Sequence, residues 1–411
     1  MDTKTSTTDN RLPVGVYLLS FCLFAMGTAE FLLAGVLPHV AADLDISLSS
    51  AGMLITAFAL GVVLGGPPFA VLSLHWPPRT ALVATQAVFA ASVAVGLVGD
   101  YQVLLLTRFV SGLAYAGFFA VAAVTAIRLV SPDRKARASG VVVSGLSIAM
   151  VVGGPVGTLL SHFTQWRGGF WAVVVLTLAG IVGCLLGLPA TSPSEERPSV
   201  KRELATMRNP LLWGIFAITI LTTAAYMITF NYLAAMLAEI TAIPDVWIPA
   251  VLALFGIGAF TGLAIGGRIS DQHPHRALLT GSVAIVLLSL ILAITMRNAW
   301  LVVPVVFLLG TAAFVLNPAQ YGRVFTIAAD APTLAGATTV SAFQLGISAT
   351  PLLAASTLTR GASLTSVCLI GAALAALAIV FIVRDRAAAR VEGEHGIGET
   401  VDDVALVADH D

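Results

Sequence analysis

Apolar residues run along this chain in unbroken blocks, separated by short polar turns. The blocks show neither the alternation of a half-buried strand nor the narrow stripe of a surface helix. About 20 apolar residues at 1.5 Å rise cross the hydrocarbon core of a bilayer. Twelve blocks reach that length, at 14–37, 50–73, 80–99, 102–126, 138–161 and 168–188, then 211–237, 247–267, 277–296, 300–322, 336–358 and 364–383. The one long polar interruption, 189–210, carries Pro193, Glu195, Glu196, Arg197, Pro198, Lys201 and Arg202. The pattern predicts an all-α membrane protein of twelve transmembrane helices in two pseudo-symmetric six-helix bundles. Its parts are an N-terminal segment 1–13, a first bundle 14–188, a central linker 189–210, a second bundle 211–384 and an acidic, disordered tail 385–411. The polar stretch Met1–Arg11 precedes a full-length block with no small-residue cleavage site, so that block is expected to stay as the first helix.

Composition agrees. A soluble domain carries roughly 25% charged residues; this chain has 10%, with 58% hydrophobic, so lipid must solvate most of its surface. Net charge is −1, which gives nucleic-acid binding no electrostatic support. Cys22, Cys184 and Cys368 lie far apart in apolar runs and read as small buried hydrophobes.

The bias of Lys and Arg sets orientation. Arg79, Arg134, Lys135, Arg137, Arg197, Lys201, Arg202, Arg208, Arg268, Arg276, Arg384, Arg386 and Arg390 fall on one face; Arg167, Arg297 and Arg360 fall on the other. Both termini and the linker are therefore expected in the cytoplasm of a cell whose plasma membrane holds the chain. A repeat supports two halves: Gly61, Gly65 and Gly66 close the second block as Gly262, Gly266 and Gly267 close the eighth.

Glu30 is the strongest chemical candidate. It lies sixteen residues past Val14, about 24 Å along a helix. A charge at such depth costs at least about 2.5 kcal/mol, so it should face the bundle interior with a partner. Glu30 thus lies towards the outer face; Arg108 enters from that outer face to comparable depth, and the pair is expected to be close. Burial favours the protonated carboxyl and the guanidinium favours the carboxylate. A group poised between the two can carry a proton, although a static bridge that fixes packing is the alternative. Tyr115, Phe118, Tyr226, Asn231, Tyr232, Asn317, Gln320, Phe343 and Gln344 are candidates for a central cavity with little charge, suited to neutral, partly aromatic molecules.

Gly262 to Arg276, with Gly267, Arg268, Asp271 and Arg276, resembles the cytoplasmic signature loop of the major facilitator superfamily, where an ion pair gates the conformational change. The first-half counterpart departs from it: Pro67–Arg79 has no acidic residue, which weighs against a symmetrical latch. Arg108 to Gly112 resembles that superfamily's proton-coupling arginine motif. Gly145 with Gly153, Gly154, Pro155 and Gly157 resembles its antiporter motif, which implies outward transport. Gly27 to Leu44 and Trp166 to Trp171 look like the twelve-span drug:proton antiporter family, whose branches include sugar and purine exporters. The chain is most similar to chloramphenicol exporters of high-GC Gram-positive bacteria.

The resemblance implies proton-coupled efflux of small, mostly neutral drugs by alternating access, with chloramphenicol the foremost substrate. An exporter of sugars, nucleosides or other metabolites is the alternative, and a transport-dead membrane sensor a third. Enzymatic activity is not expected. No phosphate-binding loop of the G-x-x-x-x-G-K-[ST] type appears, so ATP is not the expected driver. The proton serves as coupling ion with no cofactor or metal, and His273 and His275 are expected to be solvated. The family works as a monomer.

Overall fold

A computed structural model describes residues 12–72, 76–131, 134–189, 205–270, 272–328 and 332–408. Among these the chain is helical. The helices are α1 Val14–Asp43, α2 Leu48–Leu72, α3 Pro78–Val98, α4 Tyr101–Arg128, α5 Lys135–Ile148, α6 Gly154–Gly187, α7 Pro210–Glu239, α8 Ile248–Ser270, α9 Pro274–Thr295, α10 Ala299–Ile327, α11 Pro332–Leu358 and α12 Ser366–Ala408. A π-helical turn, Ala149–Gly153, fuses α5 to α6. Polar side chains start several helices: Asp100 accepts from Val103 N–H before α4, Asn209 from Leu211 N–H before α7, and Asn298 from Trp300 N–H before α10.

Among the described residues, ten stretches are long and apolar enough to cross a membrane. One of them, Arg137–Gly187, is 51 residues long and counts for two. Thr164 (φ −122°, ψ 17°) and Gln165 (φ 61°, ψ 165°) break it, between the fifth and sixth blocks marked on the sequence. The break is clamped: Ser161 Oγ donates to the Trp166 carbonyl at 3.3 Å, Trp166 Nε1 donates to Asp43 at 3.0 Å, and Arg167 pairs with Asp43 at 2.5 Å. With α11, which falls outside the ten, and with Arg137–Gly187 taken as two, the long helices among the described residues number twelve. Val98, Leu186 and Ile294 are 78%, 83% and 84% exposed, apolar surface of the kind a lipid bilayer covers.

The chain divides into two compact units. One comprises Met1–Ile46 and Ala57–Arg197, the other Ser47–Thr56 and Pro198–Asp411. In the first, α1 packs on α5 and α6, and α3 lies against α4 and α6. Cys22 and Cys184, distant in sequence, meet there as free thiols with sulfurs 3.7 Å apart. In the second, α7 packs on α11 and α12, α8 on α10, and α9 on α10 and α12.

The internal repeat is present in a different register from the one that the glycine runs suggest. On α2 and α4, a Cβ at Gly61 would strike the Phe109 carbonyl, and one at Gly112 the Phe58 carbonyl. On α8 and α10, Gly258 meets the Phe307 carbonyl and Gly310 the Phe255 carbonyl in the same way. Each helix thus carries Phe-x-x-Gly, and each glycine lies on the backbone of the partner helix's phenylalanine. Gly61 therefore corresponds to Gly258 rather than to Gly262.

The last helix continues to Ala408, through most of the segment expected to be disordered. Its continuation begins Ala387-Ala388-Ala389, residues of the highest helix propensity. Most of the central linker, 190–204, lies outside the described residues.

Candidate functional site

Glu30 and Arg108 come together in the first unit, as their depths suggest. Arg108, seven residues into α4, is 5% exposed, and Glu30 is half-buried and acts on it electrostatically. Arg108 Nη1 donates to the Ala29 carbonyl at 3.4 Å, while its Nε has no hydrogen-bond partner among the described residues. Two aromatic rings complete the surroundings. The guanidinium carbon stands 4.6 Å from the ring centre of Phe58 and 5.9 Å from that of Phe170. Tyr115, two turns beyond Arg108, packs its ring 5.6 Å from Phe58, and Phe118 is fully buried. Phe58 was not singled out from the sequence. Its signal is the Phe-x-x-Gly pattern, which fixes it against Gly112 one turn from Arg108.

The glycines of the expected antiporter motif give α1 its seat. A Cβ at Gly145 would strike the Ser20 carbonyl, and one at Gly153 the Thr28 hydroxyl. At Gly154 it would lie 2.8 Å from Phe31 Cβ, and at Gly157 3.0 Å from Leu32. The four face α1 on either side of Glu30. Pro155, which has no N–H to give the preceding turn, stands one residue beyond the π-helical turn, after Gly154.

Polar candidates of the second unit are held by threonines. Asn231 Nδ2 donates to Thr350 Oγ1 and Gln320 Nε2 to Thr222 Oγ1, both at 2.8 Å. Neither threonine was predicted, because each lies about a hundred residues from its partner. Tyr226 packs on Phe314 at 5.6 Å and Phe343 on Tyr321 at 5.5 Å. The Tyr232 hydroxyl, Asn317 Oδ1 and Gln320 Oε1 are buried with no hydrogen-bond partner among the described residues, and Gln344 is buried too. Asn317 and Gln320 stand three apart on α10 and share a face.

Of the expected gating loop, Asp271 lies outside the described residues. Gly267 has open space around it, and Arg268 and Arg276 are exposed, with no ion pair among the described residues. The ion pairs at this end gather instead on Asp385. Its carboxylate, 4% exposed, takes Arg323 Nη2 of α10 and His275 Nε2 of α9, each at 2.9 Å. His275 is therefore a buried-side partner and not the solvated residue expected. Asp385 falls at the start of the expected tail, 385–411, and these contacts place it in the second bundle instead.

The comparisons with known proteins agree with this architecture. The sequence profile described as Major Facilitator Superfamily matches residues 19–351. The chain is 38% identical over 351 residues to a chloramphenicol resistance protein of Streptomyces lividans, covering 84% of this chain and 90% of that protein. It is 30% identical over 365 residues to the inner membrane transport protein YdhP of Escherichia coli, covering 89% and 94%. Among solved structures, a bacterial homologue of the human lysosomal transporter Spinster aligns with TM-score 0.70 at 16% identity, covering 91% and 95%. The nucleoside transporter NupG aligns with TM-score 0.73 at 15% identity, covering 90% and 99%. At such identities these two speak for the fold alone.

Proposed function

This chain belongs to the Major Facilitator Superfamily and is a multi-pass membrane transporter, and from that premise we propose that it exports small, mostly neutral drugs, chloramphenicol among them, in exchange for protons. Support comes chiefly from Glu30, set against the buried Arg108 on a helix that rests on the motif glycines. A carboxyl in apolar surroundings favours its neutral form, and a neighbouring cation favours its charged form. Glu30 takes a proton from outside, passes it inward as the protein alternates access, and returns ready for the next. One charge moved is worth about 2.3 kcal/mol per 100 mV, roughly a fiftyfold drug gradient. No bond in the drug is made or broken, so this reading assigns no enzymatic step and no cofactor. The positive-inside bias puts both termini in the cytoplasm. The resemblance to a chloramphenicol resistance protein supports the drug, and a neutral substrate leaves Glu30 free for the proton.

The same fold exporting a hydroxyl-rich metabolite is a second reading. It is favoured by the buried oxygens of Asn317, Gln320 and Tyr232, which a sugar or nucleoside could satisfy. Expression in a susceptible host separates the two. Raised phenicol growth limits that collapse with an uncoupler support drug export. Unchanged limits with efflux of labelled sugar or nucleoside select the metabolite.

A further inference from the structure

We propose that Phe58 and Phe170 are positioning residues for proton exchange: their rings hold the Arg108 guanidinium in place so that Glu30 can be neutralised without stranding the cation. The inference rests on Glu30 being the proton carrier. A guanidinium has five N–H donors. In Arg108, Nε is unpartnered among the described residues, and the bond to the Ala29 carbonyl is long, at 3.4 Å. A buried cation so thinly hydrogen-bonded is driven onto the nearest carboxylate, and that contact holds the carboxylate charged. The faces of Phe58 and Phe170 offer negative potential that does not titrate. The cation therefore keeps two of its supports whichever state Glu30 is in.

Both rings are themselves fixed. Phe58 is fully buried, with its backbone carbonyl against Gly112 and its ring against Tyr115. Phe170 is 4% exposed and lies edge-on to Trp166 at 6.0 Å; Trp166 in turn donates to Asp43. Other charges are far or occupied. On α6, Arg167 is paired with Asp43 and His162 is exposed. On α1 itself, Tyr17 and His39 are exposed, on α4 Arg128 is exposed at the far end, and on α5 Arg137 is exposed. Among the described side chains, Arg108 is the charge whose interaction with Glu30 is resolved.

The test is the pH dependence of Glu30 labelling by dicyclohexylcarbodiimide, which attacks protonated carboxyls in apolar surroundings. It is read by mass spectrometry on the full-length protein in membranes. Phe58→Leu and Phe170→Leu free the guanidinium to close on Glu30, and the pH of half-maximal labelling should fall by about one unit. Phe58→Tyr and Phe170→Tyr, which keep a ring, should stay near the wild-type value. Methionine at either site gives the same answer as leucine where the leucine variant does not accumulate. Ring-less variants that label with the wild-type midpoint overturn the proposal. Wild-type labelling that ignores pH overturns the carrier assignment instead.

Discussion

Arg108 on α4 donates a hydrogen bond to the carbonyl of Ala29 on α1, the residue immediately before Glu30. At 3.4 Å the contact is long, and the cation leans on it together with the rings of Phe58 and Phe170 rather than on the acid's side chain alone. An arrangement of this kind can keep its geometry through a change in charge, which a bare salt bridge cannot.

Replacing Glu30 by Gln keeps the shape of the side chain and one acceptor oxygen but removes the proton site. Uncoupler-sensitive efflux should fall at least about a hundredfold, as expected when an intramembrane ionisable group is lost. The variant should still reach the membrane in normal amount. Fluorimetric efflux from energised vesicles, with immunoblotting for abundance, decides it. Full coupled transport by Glu30→Gln would remove the coupling role.

Arg108→Lys retains charge but not the planar group that lies over two rings. Efflux at saturating drug should drop by about tenfold, or 1.4 kcal/mol, and Arg108→Ala should drop it further. Comparable rates in all three proteins would reduce Arg108 to a packing residue.

The glycine seat can be tested by adding single methyl groups. Gly145→Ala presses a Cβ onto the Ser20 carbonyl, and overpacking of this kind costs about 1–3 kcal/mol. Gly214→Ala meets nothing within 4 Å and should gain up to about 1 kcal/mol from helix propensity. Thermal unfolding in detergent should separate the two in opposite directions.

Asp385→Ala removes the acid that holds α9, α10 and α12 at one end of the second unit. Breaking a buried pair by deleting one partner costs about 3–5 kcal/mol. The thermal midpoint should drop accordingly, and His275→Ala should cost less, since its side chain is 19% exposed against 4% for Asp385. Equal midpoints for wild type and Asp385→Ala would make the cluster decorative.

Much of this was legible in the sequence, for physical reasons. A lone acid and a lone base in apolar blocks have few places to go, and depth alone set Glu30 in the neighbourhood of Arg108, where its charge is felt. The turn at Thr164–Gln165 falls in the gap between two blocks. What escaped needed information across helices. The amide–threonine pairs join residues about a hundred apart, and Asp385 reads as one more charge beside Arg384 and Arg386 until α9 and α10 are seen against it. The repeat register escaped because small-residue runs align at several offsets, whereas the carbonyl on which each glycine rests admits one.

That register has an evolutionary consequence. Arg108 stands four residues before Gly112, and the matching place before Gly310 is Val306, a fully buried aliphatic. The two copies have kept the same joint, but the buried Arg108 of the first has an aliphatic counterpart in the second, whose buried ion pairs gather at Asp385 instead. On the proposed reading, selection for new cargo can rewrite the amides of the second copy while Glu30 and Arg108 stay as they are, so substitutions that change cargo are expected to collect after residue 210.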